Sequence, residues 1–103
     1  TGLPNVVGMA TLHIEHPVTD LATWTPAYRR LADVRRRAGV TSESVRHPDD
    51  DDTRVVIDLE FDTTDQAHAF LQFLRSQVWA VPENSPALAG SPEVMVLETV
   101  ALD

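Results

Sequence analysis

Cysteine is absent from the 103-residue chain, which excludes disulfides, thiol catalysis and thiolate metal sites. No apolar run approaches the roughly 20 residues needed to span a bilayer. No segment resembles a secretory leader, so a cytoplasmic location without a membrane partner is expected. Positive charge is scarce: eight basic residues, all arginine, stand against sixteen acidic ones, for a net charge of −8. Phosphate binding needs a clustered positive field, so nucleic acid is an unfavourable partner. Glycine occurs only four times, never as a Gly-rich phosphate loop that would hold a nucleotide. What is present is ordinary for one globular domain, with 43% hydrophobic and 23% charged residues. Domains of this size bury a limited core and gain from assembly, which makes a partner subunit plausible.

The chain divides cleanly into periodic segments. In MATLHIEH (residues 9–16), Leu12 and Ile14 share one face while Thr11, His13 and Glu15 share the other, the period of a strand. Residues 23–38 read as a helix in which Trp24, Tyr28, Leu31 and Val34 or Arg35 recur at helical spacing. Thr23 serves as its cap, Pro26 falls in the first turn, and Gly39 is the stop. TSESVRH (41–47) is a second, weaker strand, and PDDDD turns the chain. TRVVIDLEF (53–61) alternates strictly, with Val55, Ile57, Leu59 and Phe61 opposite Arg54, Val56, Asp58 and Glu60. Thr63 and Gln66 form a capping box that opens a second helix near 64–78, carrying Ala67, Phe70, Leu71, Leu74 and Val78 on one stripe. VPENSPALAGSP offers a short helical turn from Ser85–Pro86 to Gly90, and its length suits a segment that closes over a pocket or reaches a neighbouring subunit. Residues 93–101 are the last strand. Residues 1–8, TGLPNVVG, stand apart before Met9 and read as an expression remnant, a natural extension or a short added strand; residues 9–103 form the single domain.

The order β-α-β-β-α-β is the split pattern of an α+β, ferredoxin-like fold. Right-handed crossovers place both helices on one face of a four-stranded antiparallel sheet in the order 4-1-3-2. Its other face then carries Thr11, His13, Glu15, Val56, Asp58 and Glu60, and two subunits pairing through that face would cover it. One imidazole among carboxylates can be tuned near neutrality for acid–base work. It is also a donor set that a hard divalent metal such as Mn, Fe or Zn accepts. The bland alternative is an ion-paired inner face of a dimer, with Arg46 and Arg54 as partners.

The stretches ATLHIEHPVTDLATW, VVIDLEFDTTDQAHAFLQFL and VWAVPENSPALAGSPEVMVLE resemble the dimeric α/β-barrel superfamily, in particular small proteins related to antibiotic-biosynthesis monooxygenases. Actinobacterial members of this look are often labelled cyclases. The resemblance spans residues 9–100. It implies a homodimer packed sheet to sheet, with a ligand cavity between each sheet and its own helices or loops. Family activities range from cofactor-free oxygenation of polyketide quinones through haem degradation and lactone isomerisation to no catalysis. The oxygenases use an asparagine, a tryptophan and a tyrosine or histidine. Here the asparagines are Asn5 and Asn84, neither on the first strand, and His68 lies near the cap of the second helix, unlike a haem ligand.

The resulting expectation is a small enzyme (oxygenase, cyclase or isomerase) acting on an aromatic or polyketide-like molecule without a tightly bound organic cofactor. A non-catalytic binding or stress-related protein of the same fold is the alternative. Candidate catalytic residues are His13, Glu15 and Asp58; candidate substrate contacts are Trp24, Tyr28, Glu60 and Trp79; no metal site is assigned. Trp24 and Tyr28 would otherwise be core, and Trp79 would be a buried anchor of the long loop. His16, preceding Pro17, is expected at the surface or in a loop. The arginines at 29, 30, 35, 36 and 37 read as paired or solvated, with an anionic-ligand site as the lesser alternative. PDDDD lacks the spacing of a calcium loop and reads as a solvated turn.

Overall fold

The computed structural model describes residues 9–102; the expectation for residues 1–8 lies outside them. The elements are β1 (Ala10–Pro17), α1 (Leu21–Arg30), α2 (Ala32–Arg37), β2 (Ser42–Arg46), β3 (Arg54–Phe61), α3 (Thr64–Phe73) and β4 (Glu93–Glu98). A five-residue π turn, Leu74–Val78, continues α3, and a 3-10 turn covers Pro82–Asn84. The sheet runs β2-β3-β1-β4 with every neighbouring pair antiparallel. This is the expected ferredoxin-like architecture, and the alternation of β1 and β3 creates it. Leu12 faces Leu59, Ile14 faces Ile57 and His16 faces Val55 on the helix side. Thr11, His13 and Glu15 look the other way, opposite Glu60, Asp58 and Val56. The core lies between sheet and helices, around Leu12, Leu59, Phe61, Ala67, Phe70 and Leu71.

Three local expectations are corrected. The first helix is capped by Asp20 rather than Thr23: the Thr23 N–H donates to Asp20 Oδ1 at 2.7 Å, and the helix begins two residues earlier than expected. Pro26 therefore lies inside α1, past its first turn. The helix is also interrupted at Leu31 (φ −97°, ψ 14°). The Arg35 guanidinium causes that break, since Nη1 donates to the Tyr28 carbonyl at 2.7 Å and the Leu31 N–H tightens onto the same oxygen. A side chain inserted into the backbone ladder is a recognised source of such kinks. Third, an additional 3-10 turn forms ahead of the expected one, at Pro82–Asn84, while the Leu88 N–H on Ser85 O at 3.2 Å closes a single turn at the expected start. Ser85 is held out of the helical region (φ −138°, ψ 60°) because the ring of a following proline disfavours it there.

The strand β4 ends at Glu98, three residues short of the expected 101, whereas the stops and starts around Thr63 and Gly39 follow the sequence. The Gln66 N–H donates to Thr63 Oγ1 and the Thr63 N–H to Gln66 Oε1, closing the capping box. Gly39 ends α2 with φ 106°, a conformation that side chains with a Cβ resist. Val40 N–H reaches back to Arg35 O and Gly39 N–H to Arg36 O, which completes a Schellman stop.

Candidate functional site

On the open sheet face, the register sets His13 opposite Asp58 on one side and Met95 on the other. His13 Nδ1 lies 2.6 Å from Asp58 Oδ1, and Nε2 lies 2.9 Å from Glu15 Oε2. An ionised carboxylate only accepts, so both ring nitrogens donate and the ring is an imidazolium in this arrangement. Its pKa is raised, first by the hydrogen bond to Glu15 and then by that to Asp58, against a smaller opposing effect of burial. The Glu15 carboxyl is correspondingly lowered by His13 and Arg54. The carboxylates are engaged further. Arg46 donates to Asp58 Oδ2 at 2.9 Å, and Arg54 donates to Glu15 at 2.9 Å and to Glu93 at 3.2 Å. Glu60 accepts from Thr11 Oγ1 at 2.6 Å. A depression lined by His13, Glu15, Glu93, Val94 and Met95 borders this network. Among the described residues, no group of three or more histidine or acidic side chains is arranged to hold a metal ion.

The other candidates lie on the opposite face of the sheet. A mainly apolar cavity of about 60 Å³ opens between the sheet and the helices. A single water needs roughly 10–15 Å³ on this scale, so it holds several. Ile14, Ile57 and Leu59 form its floor, Trp24, Tyr28 and Arg35 one wall, and Val78, Trp79 and Leu88 the rim. Trp24 and Tyr28 stack with ring centroids 4.8 Å apart, and His16 meets Trp24 edge-on at 6.1 Å. The Tyr28 hydroxyl donates to Glu43, and burial followed by that bond raises its pKa, so it stays protonated at neutral pH.

His16 is only 3% exposed, which corrects the expectation of a surface residue. Position 16 has the parity of Leu12 and Ile14, so strict alternation carries it inward, and Pro17 ends the strand without turning it aside. Its Nδ1 lies 3.0 Å from the Pro17 carbonyl, which can only accept, so Nδ1 carries the proton. Burial lowers the pKa and favours the neutral ring. Nε2 is then an unprotonated base, and no protein group among the described residues hydrogen-bonds it.

The sequence-derived candidates thus fall into two groups separated by the sheet. His13, Glu15, Asp58 and Glu60 are together on the open face; Trp24, Tyr28 and Trp79 are together at the cavity. Trp79 is largely buried, packed against the core as expected of an anchor of the long loop, but not fully enclosed. The loop after α3 does close over the pocket, since Asn84, Ser85 and Leu88 line it. That loop is strapped to the end of β1 by the Ala89 N–H on Pro17 O and the Thr19 N–H on Ala87 O. Gly90 allows the close approach, because a Cβ there would lie 2.9 Å from Pro17 Cγ. His68 is exposed on α3 and joins neither group.

No protein-family model matches this sequence, and no curated protein matches it closely. Solved structures do match in shape. SnoaB, a cofactor-independent oxygenase from Streptomyces nogalater, superposes with a TM-score of 0.71 at 17% identity, covering 93% of this chain and 97% of that one. ActVA-Orf6, a monooxygenase of Streptomyces coelicolor solved with the ligand Nanaomycin D, gives 0.60 at 20% identity over 98% and 94%. A conserved protein from Methanosarcina mazei gives 0.70 at 12% identity over 93% and 97%. The chain therefore has the ferredoxin-like fold found in antibiotic-biosynthesis-type monooxygenases. At these identities the likeness concerns the fold, and chemistry has to be argued from the site.

Proposed function

We propose that the protein is a small enzyme of the monooxygenase-like type that binds a flat aromatic molecule in the cavity between sheet and helices, with His16 as its general base. The observation that carries this reading is a buried, neutral histidine, tautomerically fixed by Pro17, at a cavity walled by the Trp24–Tyr28 stack. A general base works best unprotonated and within about 3 Å of the proton it takes. On an anthrone-like substrate, His16 would remove a proton from the activated CH₂. The carbanion adds dioxygen to give a peroxide anion, which His16 reprotonates. Loss of water from the hydroperoxide then leaves the ketone, so that one CH₂ and one O₂ become C=O and H₂O. No tightly bound organic cofactor enters this sequence. A bicyclic or larger ring needs more room than about 60 Å³, so the incompletely enclosed Trp79 and the Asn84–Leu88 loop are the segment that yields on binding. The open sheet face, with Met95 and Leu97 exposed beside the His13 network, is the natural contact of a homodimer.

A second reading keeps proton transfer on His13, Glu15 and Asp58, with Glu60 beside them, because a depression borders that histidine. Oxygen uptake with a dihydroxyanthrone, corrected for spontaneous oxidation, separates the two. His16→Ala should lower the rate by about 10²–10⁴-fold, the usual contribution of acid–base catalysis, while His13→Ala should stay within about threefold. The reverse pattern would move the site to the open face. Saturable binding with no uptake above the spontaneous rate would make the cavity that of a receptor.

A further inference from the structure

One wall of the cavity is not accounted for by its aromatic character. Arg35 is 6% exposed, and a buried guanidinium is costly unless its charge and N–H groups are matched. Matching here is incomplete. Nη1 is spent on the Tyr28 carbonyl, and Cζ sits 3.6 Å over the centre of the Tyr28 ring, a cation–π contact. Nε lies 3.0 Å from Glu43 Oε1, but off the direction its N–H requires. Among the described residues it is the one side-chain nitrogen or oxygen fully sealed from solvent that lacks a hydrogen bond. Glu43 itself is 38% exposed on the edge strand β2 and already accepts from the Tyr28 hydroxyl. The contact between Arg35 and Glu43 is therefore one that a better-placed anion can replace.

We infer that the cavity selects flat aromatic molecules bearing an anionic oxygen, carboxylate or ionised phenol, with the ring against Trp24 and Tyr28 and the oxygen on Arg35. This rests on the cavity being the ligand site. A guanidinium stays charged throughout the accessible pH range and binds oxyanions through paired N–H groups. The neighbouring His16 is neutral and adds no positive charge, which leaves Arg35 as the source of selection. Glu43 competes for the same cation from outside the cavity.

Calorimetric titration of the intact protein at pH 7 with 2-naphthoate, its neutral methyl ester and a nitrated naphthol that is ionised at that pH provides the test. The native protein should bind an anionic probe about tenfold more tightly than the ester, equivalent to about 1.4 kcal/mol. A preference for 2-naphthoate assigns the oxygen to a carboxylate, and one confined to the naphtholate assigns it to a phenolate. Arg35→Met should bring anion and ester within about twofold of each other. Because that variant loses a buried contact and can fail to fold, Glu43→Gln is the companion: it should strengthen anion binding severalfold and leave the ester unchanged. Equal affinity of the native protein for anions and ester would overturn the inference and leave the cavity reading standing. Absence of binding by all three probes would overturn the cavity reading and the inference with it.

Discussion

Replacing Trp24 with alanine tests whether the aromatic wall is built into the fold. Trp24 is 9% exposed, stacks on Tyr28 at 4.8 Å and meets His16 edge-on. Deleting a buried tryptophan costs about 3–5 kcal/mol through lost transfer energy and the hole left behind. The stacked pair accounts for roughly 0.5–1.5 kcal/mol of that. The site cannot collapse easily, because its floor is the central strands β1 and β3 and a cavity already lies beside it. The upper part of the range therefore applies. With a urea slope of about 1–3 kcal/mol/M for small proteins, the unfolding midpoint should fall by about 1.3–5 M. The enlarged hole has the shape of the lost ring, so added indole should recover part of the loss by binding the folded state alone. A loss below about 1 kcal/mol, with no response to indole, would refute the packing assigned to Trp24 and with it the shape of the cavity.

Further expectations concern the two histidines, the helix stop, the loop and assembly. His13 has a raised pKa and His16 a lowered one, so proton NMR titration should show them changing charge above and below the ordinary value of about 6.5. Stability from protonated His13 is complete below that value and lost as pH rises through the folded pKa, whereas neutral His16 contributes stability that is lost as pH falls toward its own. Asp58→Asn should reduce the first slope and Glu15→Gln combined with Asp58→Asn should remove it, because both carboxylates raise the His13 pKa; a slope that survived the double substitution would contradict the ion-pair network. Gly39→Ala should cost about 1–3 kcal/mol for its positive φ, and a neutral result in thermal melts would mean that the stop is not held there. Trp79→Ala, at a site not fully enclosed, should cost about 2 kcal/mol, below the full range for buried aromatics. Sedimentation at micromolar concentration should give twice the 11.4 kDa chain mass, and a clean monomer would reject the homodimer.

The fold was legible because its signals are local and agree with one another. Alternation in β1 and β3, the Thr63–Gln66 box and Gly39 each act over a few residues, and together they fix the order and the buried faces. The site was legible only in part. Trp24, Tyr28 and Trp79 could be picked out as a large aromatic set, but alternation alone puts His13 and His16 on opposite faces, and the expectation followed the histidine with visible carboxylate neighbours. The proline after His16 suggests a loop, whereas its parity with Ile14 points inward. Arg35 shares a helical stripe with Trp24, Tyr28 and Leu31, yet its burial depends on stacking over Tyr28 and on Glu43 from β2. Helical spacing brings Arg35 near Tyr28, but the contact with Glu43 is not encoded in spacing along the chain.

Entry of the ligand on the helix side of the sheet is tested most directly by nuclear magnetic resonance with neutral methyl 2-naphthoate. The side-chain signals of Trp24 and Trp79 report on the cavity, and the Met95 methyl and the His13 ring report on the open face. Binding in the cavity should give saturable shifts of both indole N–H signals and the Tyr28 ring, with Met95 and His13 unmoved. Shifts confined to Met95 and His13, with both indoles unmoved, would contradict it.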